Sequence, residues 1–118
     1  RDVAPSRGLG DVYKRQAYAR GVELLQKRKY AKALYILNDY NDRNTVVAHL
    51  SLDHNERAME LLAAMPKDAV TEYLRAIACS RLGRKAEGRE HFLEACRLDG
   101  RMEYRGNLDP EIAELLKQ

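Results

Sequence analysis

Apolar positions along the chain recur at helical spacing. Three eight-residue stretches superimpose without gaps: YAKALYIL at 30–37, NERAMELL at 55–62 and KAEGREHF at 85–92. Each has a small residue at its fourth position (Ala33, Ala58, Gly88) and a large apolar residue at its eighth (Leu37, Leu62, Phe92). Residues four apart share one helix face. Each stretch therefore reads as a helix that crosses a neighbour closely at the small residue and fills the next layer with the large one. Glycine inside a helix costs about 1 kcal/mol relative to alanine. A close backbone crossing at Gly88 would offset that cost.

Each of these helices has a partner upstream. Ala17, Gly21, Leu24 and Arg28 form one stripe of the first, and Tyr18, Val22 and Leu25 a second beside it. In the last repeat Ala76 and Cys79 take the places of Gly21 and Leu24, and Tyr73 and Ile77 those of Tyr18 and Val22. Tight turns are expected around Lys29, Asp53 and Gly83. Helices are predicted over 12–28, 31–40, 44–52, 54–64, 69–82, 85–98 and 110–117. Local signals agree. Asp53 with Glu56 fits a capping box. Pro66 breaks the chain, Asp68 can cap the next helix, and Gly100 ends the helix before it. Asp109 precedes Pro110, a favoured first helical residue.

Composition supports an all-α chain. Of 118 residues, 45% are apolar and 33% charged, with no Trp, one Phe and three Pro. Ala, Leu, Glu, Arg and Lys, all good helix formers, dominate. No apolar run approaches the roughly 20 residues a membrane span needs. Two cysteines, Cys79 and Cys96, are too few for a disulfide framework. The net charge is +3, and the opening segment RDVAPSRGLGDVYKRQ supplies four basic and two acidic residues of it. Its DVYKRQ resembles translated sequencing-adapter read-through at the broken ends of metagenomic reading frames. Residues 1–16 are therefore expected to be a non-native or disordered leader. Without them the charge falls to +1, which makes no demand for nucleic acid. A native N-terminus missing in this way leaves the compartment open, cytoplasm or bacterial cell envelope.

The pattern resembles the tetratricopeptide repeat family. Gly21, Tyr30, Ala33 and Leu37 carry the resemblance in the first repeat, and Tyr73, Gly83, Phe92, Ala95, Leu98 and Asp99 in the third. RGNLDPEIAELLK resembles the closing segment of bacterial members. The resemblance implies an α-solenoid of about three antiparallel helix hairpins, at about 17–40, 43–65 and 69–99, in one domain over 17–118. A capping helix at 109–117 would close it. The family period is 34 residues, whereas Ala33 to Ala58 spans 25 and Ala58 to Gly88 spans 30. The middle repeat must be short, and it has His49 and Asp53 near the places of the family's aromatic and glycine.

Stacked helix pairs of this kind bind peptides or partner proteins. The resemblance implies a concave face made by the first helix of each pair. Carried over by position, that face presents Tyr18, Val22 and Leu25, then Arg43, Val47 and Leu50, then Tyr73, Ile77 and Arg81. An apolar stripe at helical spacing is usually the signature of core. Two stripes per helix, where pairing needs one, leave a binding face open as the second reading. A first helix that has lost an upstream repeat would show the same surface as an uncovered internal interface. Some family members grip a peptide carboxylate with Lys, Arg and Asn. Val22, Val47 and Ile77 stand where that clamp would want Asn, so a groove here is mostly apolar. The expected function is a non-enzymatic scaffold for a protein or peptide partner.

The alternative is nucleic-acid binding through a basic rim. Lys27, Arg28, Lys29 and Lys32 cluster at the first turn, and Arg81, Arg84, Lys85 and Arg89 at the last. Phosphate binding needs such clusters, but Asp53 and Glu56 interrupt the edge and only Tyr30 offers stacking. No catalytic residue, cofactor or metal is expected. His49 and His54 are five apart, as are His91 and Cys96, which is off-register for one helix face. Cys79, His91 and Cys96 make part of a metal site only if a helix pair brings them together, and no fourth ligand is evident.

Overall fold

Three inter-helix turns share one backbone conformation. Arg28, Asp53 and Gly83 each take a left-handed conformation, with φ of 63°, 62° and 78°. The next residue in each case opens a helix from nearly the same dihedrals: Lys29 at −94°/69°, His54 at −86°/63° and Arg84 at −94°/64°. At the first and third turns the same two hydrogen bonds close the preceding helix. Lys29 N donates to Leu24 O and Arg28 N to Leu25 O, as Arg84 N donates to Cys79 O and Gly83 N to Ser80 O. This paired pattern satisfies carbonyls that a helix end otherwise leaves open. Only Gly83 takes the left-handed position without a Cβ penalty.

The computed structural model describes residues 3–117, with side chains from residue 12. Among them the secondary structure is helical, without strands: α1 (Val3–Gln26), α2 (Tyr30–Leu37), α3 (Arg43–Ser51), α4 (Asn55–Ala63), α5 (Ala69–Arg81), α6 (Lys85–Leu98), α7 (Arg101–Asn107) and α8 (Pro110–Leu116). No described helix is long and apolar enough to cross a membrane. The chain divides into two compact units, Arg1–Leu52 and Asp53–Gln118.

In the first unit α2 packs against α1 and α3. A Cβ on Gly21 would lie 2.8 Å from Leu37 Cδ2 and 3.2 Å from Ile36 Cγ2, so α2 settles where only glycine leaves room. Ala33 and Leu37 are fully buried. Asp42 caps α3 by accepting from Thr45 N at 3.0 Å. The Thr45 hydroxyl donates to Leu37 O at 2.8 Å, which ties the end of α2 to the start of α3.

In the second unit α5 is central and packs against α4, α6 and α8. Ala58, Leu62, Ala76, Ala95, Ile112 and Leu115 have no exposed surface. Gly88 lies at a close crossing, as its place in the repeat predicts. A Cβ there would meet Leu115 Cδ1 at 2.8 Å, Cys79 Cβ at 3.2 Å and Ala76 O at 3.3 Å. Asp68 caps α5 through Thr71 N at 2.7 Å. Asp109 caps α8 through Glu111 N at 3.0 Å, with Pro110 in the first turn.

Four local expectations change. α1 begins at Val3 rather than near residue 12. The capping box at Asp53 does not form. The turn needs a left-handed residue there, so Asp53 moves out of the cap position and its carboxylate reaches Arg81 at 3.5 Å. Gly100 has an ordinary right-handed φ of −57° and leads into α7, while Asp99, extended, ends α6. α7 itself has no counterpart among the predicted helices.

Candidate interaction surface

The nine residues expected to line a binding face differ in accessibility. On α1, Tyr18, Val22 and Leu25 are half-buried. On α3, Arg43 is exposed, Val47 is half-buried and Leu50 is 5% exposed. In the second unit Tyr73 and Ile77 are 2% and 6% exposed. Arg81 is at the surface, where it pairs with Glu111 at 2.9 Å and Asp53 at 3.5 Å.

The two tyrosines are anchored alike. The Tyr18 hydroxyl donates to Asp42 Oδ2 at 2.5 Å, and the Tyr73 hydroxyl to Asp109 Oδ2 at 2.7 Å. In both cases the acceptor is the N-cap of a later helix, α3 or α8. Asn44 donates to Tyr18 Oη at 2.7 Å, and Tyr40 packs edge-on with its ring centroid 4.8 Å away. The surroundings of Tyr73 are closed. Phe92 lies edge-on at 6.1 Å and the Arg105 guanidinium sits 4.9 Å over the ring. Phe92 comes from α6 and Arg105 from α7.

These contacts set the local electrostatics. The hydrogen bond to Asp42, then burial, pushes the Tyr18 phenol above its ordinary value. For Tyr73 burial comes first, followed by Asp109, and the shift is larger. Burial pushes Asp42 up, but hydrogen bonds from Tyr18 and Thr45 outweigh it and hold the carboxyl below its ordinary value.

A second polar cluster joins α4, α5 and α6. Arg75 pairs with Glu72 and donates to the carbonyls of Leu62 at 2.5 Å and Met65 at 3.0 Å, at the end of α4. Glu72 is 3% exposed, and its other oxygen lies 3.0 Å from His91 Nδ1. Burial raises the Glu72 pKa, but the His91 and Arg75 contacts more than reverse it. Cys79, Glu87 and His91 each place a ligand atom within 4.8 Å of the other two. The helix pair thus brings Cys79 to His91, with Glu87 rather than Cys96 as the third member.

The basic clusters are partly committed. Lys27 pairs with Glu23 at 3.4 Å, and Arg89 donates to Leu115 O at 3.2 Å. Several large apolar side chains outside the apolar stripes are exposed: Tyr35 (90%), Tyr104 (71%), Leu108 (69%) and Leu93 (62%). Tyr35 had a legible signal. It is two residues from both Ala33 and Leu37, which places it on the opposite helix face.

Compared with protein-family models, curated proteins and solved structures, the chain matches none.

Proposed function

We propose that the chain is a non-enzymatic protein-interaction module, an α-solenoid of tetratricopeptide-like helix pairs. Its docking surface is the α1 stripe of Tyr18, Val22 and Leu25, flanked by Val47 and Arg43 of α3. An apolar peptide or the apolar face of a partner helix suits this surface. The recurrence of one turn conformation at residues 28, 53 and 83 supports the repeat reading.

One observation carries the surface. Tyr18 and Val22 remain half-exposed, whereas their repeat counterparts Tyr73 and Ile77 are buried. Docking narrows to the first unit for that reason, and Ile77 becomes a core residue whose replacement tests folding rather than binding.

The test is capture by immobilised protein from lysate, with and without nuclease, at low and high salt. Apolar docking predicts polypeptides retained through both treatments and lost with Val22→Asp. Retention that disappears with nuclease or salt would overturn this reading in favour of the basic clusters.

A further inference from the structure

The crossing that Gly88 permits brings a cysteine, a glutamate and a histidine together. Glu87 and His91 are four apart on α6 and share a face. Cys79 stands opposite on α5, with its Cβ 3.2 Å from where a Gly88 Cβ would be. One ligand atom from each of the three lies within 4.8 Å of the others. Ligands around a tetrahedral zinc-like ion are about 3.3–3.8 Å apart, given bond lengths of about 2.0–2.3 Å. To reach that spacing the ligand atoms must close by up to about 1–1.5 Å.

A second observation points the same way. Glu72, buried two turns before Cys79 on α5, holds His91 Nδ1 at 3.0 Å. A carboxylate on one imidazole nitrogen fixes the ring and leaves Nε2 to bind a metal. This is the usual support of a metal-bound histidine. Arg75 fixes Glu72 in turn.

We propose that Cys79 Sγ, a Glu87 carboxylate oxygen and His91 Nε2 bind a divalent, borderline-soft transition metal of the zinc class, with Glu72 as the positioning residue. The mixed sulfur, nitrogen and oxygen donors select this class over magnesium or calcium, which prefer oxygen alone. Three protein ligands leave the fourth position to water. Cys79 is buried, so the ion enters from the surface side, where Glu87 is exposed. Binding displaces the Cys79 thiol proton to solvent as the sulfur–metal bond forms. The bound ion clamps α5 to α6.

Cobalt(II) added to the reduced full-length chain tests the site. The expected result is a thiolate-to-cobalt charge-transfer band with visible bands of a four-coordinate ion. The charge-transfer band should vanish in Cys79→Ser and persist in Cys96→Ser. Glu87→Gln alters an exposed side chain and leaves the fold intact. It should weaken cobalt affinity about tenfold or more, the scale of a lost supporting contact. Zinc should raise the melting temperature of the parent chain but not of Cys79→Ser. No charge-transfer band in the parent, its loss in Cys96→Ser, or unchanged affinity in Glu87→Gln would overturn the assignment.

Discussion

The Tyr73 hydroxyl donates to Asp109, which at the same time caps α8 through Glu111 N. One carboxylate thus starts a helix and holds it to α5. Tyr18 and Asp42 do the same for α3 and α1. A hydrogen bond to a charged acceptor contributes about 1.5–3 kcal/mol. Tyr73→Phe keeps the ring between Phe92 and Arg105 and removes only the hydroxyl. It should lower stability by about 2 kcal/mol in urea unfolding. No change would mean that Asp109 capping alone holds α8.

Gly88 and Gly100 should respond to alanine with opposite signs. At Gly88 the added methyl meets Leu115, Cys79 and the rigid Ala76 carbonyl. Overpacking costs about 1–3 kcal/mol and outweighs the roughly 1 kcal/mol gained in helix propensity. At Gly100 nothing lies within 4 Å and the backbone is right-handed. Gly100→Ala should stabilise by about 0.4–1 kcal/mol, through loss of unfolded-chain entropy. Thermal unfolding of the two variants checks both signs.

Arg75→Met should be among the most damaging single changes. It leaves Glu72 buried with His91 alone and removes the donor to the Leu62 and Met65 carbonyls. Breaking one side of a buried ion pair costs about 3–5 kcal/mol. The partial exposure of Arg75 puts the expectation at the lower end. The urea midpoint measures it.

Stability should fall at both ends of the pH scale. Asp42 and Glu72 are held below their ordinary values in the fold. Their contribution is full above the unfolded carboxyl range, about pH 4. It is lost as the pH falls from there through the folded values, because the unfolded chain then binds more protons. Tyr18 and Tyr73 are raised, so their contribution is present below about pH 10 and lost as the pH rises through the folded values. Tyr18→Phe removes a donor to Asp42 and should flatten the acid side of a melting-temperature profile. An unchanged acid side would contradict this assignment.

Much of the fold is legible locally. The small-to-large spacing from Ala33 to Leu37, Ala58 to Leu62 and Gly88 to Phe92 marks buried faces, and Asp68 and Asp109 announce the helices they cap. The cap at Asp42 is harder to see, because NDYND offers several polar candidates in succession. α7 has only 7 residues. Its RMEYRGN buries only Met102 and Gly106, too few to form a stripe. That hidden helix supplies Arg105, which lies over the Tyr73 ring. The Tyr18–Asp42 and Tyr73–Asp109 pairs span 24 and 36 residues, beyond any local pattern. The cluster of Cys79, Glu87 and His91 likewise depends on how α5 meets α6. In sequence, Glu87 is one more charged residue on a helix.

The most direct test of the interaction surface is a photo-crosslinking amino acid at Val22, compared with the same group at Tyr35 on the opposite side of α2 from Ala33. The account predicts that Val22 crosslinks to a polypeptide partner, at high salt and after nuclease, and that Tyr35 does not. Crosslinks from Tyr35 with none from Val22 would contradict the α1 stripe as the docking surface.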